Sequence, residues 1–122
     1  MPKPSLTILY VDSPQASAAF YERLLGTAPV EASPTFAMFV FASGLRLGLW
    51  ARHGVEPAPT AGGGGAELTF TVESAAEVDA TCAHWQGLAL PILQAPTAMD
   101  FGRTFTAQDP DGHRLRVFCP AN

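Results

Sequence analysis

The sequence predicts an α+β fold of two strand–helix–strand–strand–strand modules, whose mixed sheets form a cleft with the helices outside. Three observations carry this expectation: an internal repeat at half the chain length, paired start and stop signals for one helix in each half, and turn-punctuated β-rich sequence after each helix. Shifting the first half by 61 residues places Leu9 on Phe70, Val11 on Val72, Asp12 on Glu73, Ser13 on Ser74 and Gly26 on Gly87. Identity is low, but the roles of strand, acid, cap, helix and stop coincide, as in two copies of one supersecondary unit. The predicted organisation is a single domain over 1–122, with repeat one at 5–52, a linker at 53–65 and repeat two at 66–119.

The elements follow in order. The run Leu6–Val11 is the first strand. Ser13 is placed to N-cap the first helix, with Pro14 at the first helical position, where a missing N–H costs nothing. Gly26 supplies the left-handed stop, and Ala16, Ala19, Phe20 and Leu24 form the apolar face expected at a 3.6-residue period. Strands near 28–32, 35–42 and 45–52 follow, with a turn at Ser43-Gly44. His53 to Gly65 is rich in Pro, Ala and Gly, with four consecutive glycines at 62–65. That composition predicts a flexible connector, either a plain linker or a lid over the cleft. The fifth strand opens at Glu67. Ser74 and Glu77 form a capping box for the second helix, whose apolar face is Val78, Cys82 and Trp85 and whose stop is Gly87. Strands near 90–95, 101–108 and 113–119 complete the chain, and Asp109-Pro110-Asp111-Gly112 makes the last turn.

Alternation along each strand assigns its faces. Leu68, Phe70 and Val72 form the apolar side of the fifth strand, and the repeat places Leu9 and Val11 correspondingly against the helix. Leu6, Ile8, Tyr10, Glu67, Thr69 and Thr71 then point to the cleft. Leu45, Leu47 and Leu49 fill the helix side of the fourth strand and send Arg46, Gly48 and Trp50 forward. Leu115 and Val117 do the same on the eighth strand, sending Arg114, Arg116 and Phe118 forward. Strand three, Thr35 to Ala42, is apolar on both faces and resists orientation, so Phe36, Met38 and Phe39 are all candidate pocket walls. Arg103, beside Gly102, either points into the cleft mouth or braces the hairpin. A surface of one indole, apolar walls and a few charges suits a flat, partly polar organic ligand, with an arginine placed to pair with its polar groups.

Composition excludes other classes. A net charge of −4 with seven basic residues lacks the basic stripe that nucleic acid requires. No run of ~18 apolar residues is free of charge or turn residues, so no membrane span is expected. The N-terminus leads straight into a strand with neither an apolar signal core nor a cleavage site, which predicts a cytoplasmic protein. Cys82 and Cys119 have no ligand-like spacing and read as buried reduced thiols. His53, His84 and His113 have no partner at metal spacing, and the glycine run lacks the Lys-Ser/Thr and helix of a phosphate loop.

Tyr10-Val-Asp-Ser with Phe20-Tyr-Glu-Arg-Leu-Leu-Gly26, and Phe101-Gly-Arg-Thr-Phe with Asp109-Pro-Asp-Gly-His113, resemble the opening and closing of the vicinal oxygen chelate superfamily, the glyoxalase, bleomycin-resistance and extradiol-dioxygenase proteins. Within it the chain looks most like phenazine-antibiotic-resistance proteins, through Leu49-Trp50 and the run from Phe101 to Gly112. The resemblance implies a homodimer and a ligand stacked on Trp50. Catalytic members hold a divalent metal at the inner ends of strands one, four, five and eight, and those places here carry Leu6, Gly48 or Trp50, Glu67 and Arg116. Only Glu67 could ligate, and Arg116 is permanently cationic. Glu67 and Arg116 are therefore expected to pair where the metal would sit. The reading is a metal-free, cofactor-free binder of a planar aromatic molecule such as a phenazine or quinoline-like antibiotic, serving in resistance or as a biosynthetic carrier. Its ligand-binding residues are Trp50, Tyr10, Phe36, Met38, Phe39, Arg46, Glu67, Phe101, Arg103, Arg114 and Arg116. The competing reading is a metal-dependent lyase, isomerase or dioxygenase with atypical ligands.

Overall fold

The computed structural model describes residues 1–121. The chain forms two compact units, Met1–Ala61 and a second that begins at Gly62. The first contains β1 (Thr7–Val11), α1 (Pro14–Leu25), β2 (Glu31–Ala32), β3 (Phe36–Val40) and β4 (Arg46–Ala51). The second contains β5 (Glu67–Thr71), α2 (Ala75–Gly87), β6 (Ile92–Met99), β7 (Gly102–Gln108) and β8 (Arg114–Pro120). Each unit carries one four-stranded mixed sheet, in the orders β1-β4-β3-β2 and β5-β8-β7-β6. The pairs β1–β4 and β5–β8 are parallel and the rest antiparallel. The half-length repeat in the sequence is thus a repeat of topology.

Local chemistry starts the helices where the sequence indicates. The Ala16 N–H donates to Ser13 Oγ at 3.2 Å, and the Glu77 N–H donates to Ser74 Oγ at 3.1 Å. Gly26 ends α1 at φ 70°. Gly87 is the last residue of α2 but keeps a helical conformation, and the left-handed residue is Ala89 at φ 68°. The stop is made instead by the Leu88 and Leu90 N–H groups returning to helix carbonyls.

The core of each unit lies between its helix and one sheet face. In the second unit Val78, Cys82 and Trp85 are buried as expected, and Trp85 meets Phe70 and Phe105 edge-on at 5.5 and 5.3 Å. The face of α1 differs from expectation. Pro14, Ser17, Ala18, Tyr21 and Leu24 are buried, while Ala16 and Ala19 are exposed. With alanine at 16, 18 and 19 the apolar pattern fits more than one rotation of the helix. The Tyr21 ring, packed 6.5 Å from Phe39, decides it. Leu47 and Leu49 are fully buried, but Leu45 stands before β4 in the turn and is 41% exposed. Cys119 is only partly buried, unlike Cys82.

Two segments are more ordered than their composition suggests. In the connector, Arg52–Gly54 forms a 3-10 turn, Val55 is buried, and Arg52 Nη2 donates to the Ala61 carbonyl at 2.7 Å. Gly63 lies against the β7–β8 turn, where an added Cβ would stand 2.7 Å from the Gly112 carbonyl carbon. Within the glycine run, Gly63 is packed against that turn, while Gly62, Gly64 and Gly65 face open space. Strand β6 extends to Met99, past its expected end at 95, because register shifts absorb Pro96 on an edge strand.

Candidate functional site

The register brings the predicted residues of the first unit to the sheet face opposite α1. Tyr10 and Phe36 both stand opposite Trp50, and Met38 stands opposite Gly48. This orients strand three: Phe36, Met38 and Val40 share the face of Trp50, while Ala37 and Phe39 face the helix. Phe39 is fully buried against Tyr21 and Phe41, so it is a core residue and leaves the set of ligand contacts. Trp50 is half-buried, and Tyr10 meets it edge-on at 6.2 Å and 79°. A Cβ on Gly48 would stand 2.9 Å from Phe36 Cζ and 3.2 Å from Ile8 Cγ1. The missing side chain is what lets the Phe36 ring lie over Gly48. Arg46, opposite Val40, is exposed at the strand entry.

The open face of the second sheet is polar and centred on Arg116. Its Nε donates to Glu67 Oε2 at 2.7 Å, and its Nη1 donates to Gln94 Oε1 at 3.2 Å and Thr104 Oγ1 at 3.1 Å. The Thr104 hydroxyl donates in turn to the Val117 carbonyl, and the Thr106 hydroxyl to Gln94 Oε1. The Arg116 guanidinium carbon lies 5.9 Å from the centre of the Phe101 ring, which meets Phe118 edge-on. The expected Glu67–Arg116 pair is therefore formed. Arg114, opposite Glu67, is exposed.

Arg103 does not join this face. Its Nε donates to Asp79 Oδ1 at 2.8 Å, which ties β7 to α2 behind the sheet. Its partner lies in α2 rather than in the hairpin, because β7 alternation puts Thr104 and Thr106 forward and Arg103 back. A groove of about 770 Å³ opens on that side, between Ser74 at the α2 N-terminus and Met99, Arg103 and Cys119. It contains none of the Arg116 network.

The sequence reading missed Gln94, Thr104 and Thr106. The signal was present in β7, where Thr104, Thr106 and Gln108 alternate with Phe105 and Ala107. Gln94 lies inside the predicted sixth strand, near 90–95, whose faces the alternation argument left unassigned.

Glu67 is already bound by the Arg116 guanidinium, whose fixed positive charge opposes a cation at that carboxylate. Among the described residues, no three His, Cys, Asp or Glu side chains gather into a metal-sized cluster. Nor is any described helix long and apolar enough to cross a membrane.

Residues 4–117 match the sequence model of the Glyoxalase/Bleomycin resistance protein/Dioxygenase superfamily. The chain belongs to that superfamily. It is 28% identical to the phenazine antibiotic resistance protein EhpR of Enterobacter agglomerans, over 96% of this chain and 91% of that protein. Among solved structures it is 56% identical to protein ATC0852 of Agrobacterium tumefaciens, with all of both chains covered and a TM-score of 0.93. A glyoxalase-related enzyme from Fulvimarina pelagi, 24% identical over 98% of this chain and 88% of that one, shares the superfamily fold at a TM-score of 0.84.

Proposed function

We propose that this protein binds a planar aromatic small molecule of the phenazine or quinoline type without a metal, and so confers resistance to it or carries it. The observation that carries the reading is Trp50, a half-buried indole on the open side of β4 with Tyr10 and Phe36 beside it. Aromatic side chains on a sheet face away from the core are costly to leave wet unless a partner covers them. A flat guest on the indole gains stacking as well as area burial, about 1 kcal/mol beyond the area term. The likeness to a phenazine resistance protein supports the same ligand class. Exposed Leu6, Ile8 and Val40 around the same face support the homodimer expected from the resemblance, since a second copy would remove them from water.

The test is a titration of intrinsic fluorescence with phenazine. Trp85 is buried in the core, so ligand-dependent quenching reports on Trp50. Trp50→Ala should weaken binding about tenfold or more, through lost stacking and lost area together. Its urea midpoint should stay close to that of the parent. Unchanged affinity in a folded Trp50→Ala protein overturns the assignment.

A further inference from the structure

The geometry points to Gly48 as a positioning residue for the guest: its bare backbone gives the Phe36 ring a bed away from Trp50, and so keeps the indole free to be stacked on. The inference rests on the ligand-binding reading above and concerns the first unit alone.

On the open face of that unit, Ile8, Gly48 and Met38 stand in one row across β1, β4 and β3, and Tyr10, Trp50 and Phe36 stand in the next. Residues directly opposite in an antiparallel ladder have Cβ atoms about 5 Å apart, so a phenylalanine facing a tryptophan is placed to pack its ring on the indole. Phe36 takes another course. A Cβ on Gly48 would stand 2.9 Å from Phe36 Cζ and 3.1 Å from Phe36 Cε1. The tip of the ring has therefore crossed into the neighbouring row, onto the glycine backbone. The ring that meets Trp50 is that of Tyr10, edge-on at 6.2 Å, and an edge contact covers less of an indole than a stacked ring does. Glycine weakens a strand interior and often marks a close approach there. Gly48 lies within β4 with no left-handed φ to require it, and what approaches is the Phe36 ring.

An added methyl group at 48 would take the place of the ring tip. Ile8 Cγ1, 3.2 Å from the same point, bounds the row on one side, and Met38 stands on the other. The course left along the sheet face leads back over Trp50, the register partner of Phe36. A side chain at 48 thus makes the protein cover its own indole, and a guest then has to displace a ring already in place. Such self-occlusion reduces the apparent affinity by the fraction of molecules whose indole stays open.

The test uses the full chain and begins with the parent. A nuclear Overhauser contact should join the Phe36 ring protons to the Gly48 Hα protons, and its absence overturns the inference without any variant. Acrylamide quenching of intrinsic fluorescence then reports the exposure of Trp50 with no ligand present, because Trp85 is buried in the core. Gly48→Ala should lower the quenching constant and weaken phenazine binding about fivefold, the factor that a stacking contact is worth. In a Phe36→Ala background the same substitution should change neither readout, because the ring that it displaces is gone. A folded Gly48→Ala protein quenched as strongly as the parent overturns the inference. So does an equal loss of affinity with and without the Phe36 ring. If phenazine does not bind the parent, the ligand-binding reading falls, and the quenching arm still decides whether Gly48 keeps the indole open.

Discussion

Gly102 sits at φ +136°, and a Cβ there would run into the Cys119 carbonyl oxygen across the β7–β8 ladder. Both the dihedral and the space demand glycine. Gly102→Ala should therefore lower unfolding stability by about 3 kcal/mol or more, from strain and overpacking together. A urea unfolding midpoint within error of the parent would show that the turn can reshape. The tight site at Gly48 is different in kind, because the nearest atoms there are the ends of the Phe36 and Ile8 side chains, which can move. At the residue scale the sequence was readable wherever a group has one chemical use. Ser13 and Ser74 cap, and Trp85 packs. It was not readable at Gly102, whose neighbour lies 17 residues later in the chain, nor at Arg103, whose partner belongs to a helix behind the sheet.

Two arginines on adjacent strands show how an element's face decides the worth of a charge. Arg103 on β7 meets Asp79 with side chains 34% and 52% exposed. A pair so wet contributes little, and Arg103→Ala should cost under ~1 kcal/mol. Arg116 on β8 is far less exposed and serves Glu67, Gln94 and Thr104 at once. Removing it takes a donor from three acceptors, of which Gln94 keeps Thr106, and leaves Glu67 without its countercharge, so Arg116→Ala should cost about 2–3 kcal/mol. Urea unfolding of the two variants side by side checks the contrast, and equal losses would deny the network any special weight. The strand pattern alone placed Arg116 forward, because Leu115 and Val117 are unambiguous. It could not orient strand three, where every residue from Phe36 to Phe41 is apolar. The ladder to β4 settled that strand, and with it the fate of Phe39.

At the scale of the whole molecule, stability should depend on alkaline pH through one buried thiol. Cys82 is 3% exposed, and burial, with a smaller contribution from the Asp79 carboxylate, pushes its pKa up from the ordinary thiol value. A raised value in the folded state means that the folded protein holds this proton more tightly than the unfolded chain. The resulting stabilisation is complete below the unfolded thiol pKa and is lost as pH rises through the folded one. Thermal melts from neutral to strongly alkaline pH should show a decline that Cys82→Ala lessens, after allowance for the constant cost of the small cavity. Parallel declines in the two proteins would assign the loss to other groups. In native protein near neutral pH, a thiol reagent should label the partly exposed Cys119 well ahead of Cys82.

The sequence by itself determined the α+β class, the two-fold repeat, the helix starts and the forward direction of Trp50, Glu67 and Arg116. Those features follow from spacings of two to four residues and from turn and cap chemistry, which a chain carries locally. The tertiary structure decided which rotation of α1 is buried, that Phe39 is core, that Arg103 turns to Asp79, and that Arg116 gathers Glu67, Gln94 and Thr104 around one guanidinium. Each of these depends on a partner from another strand or helix. Periodicity narrows such pairings, but only the register of the folded sheets selects one.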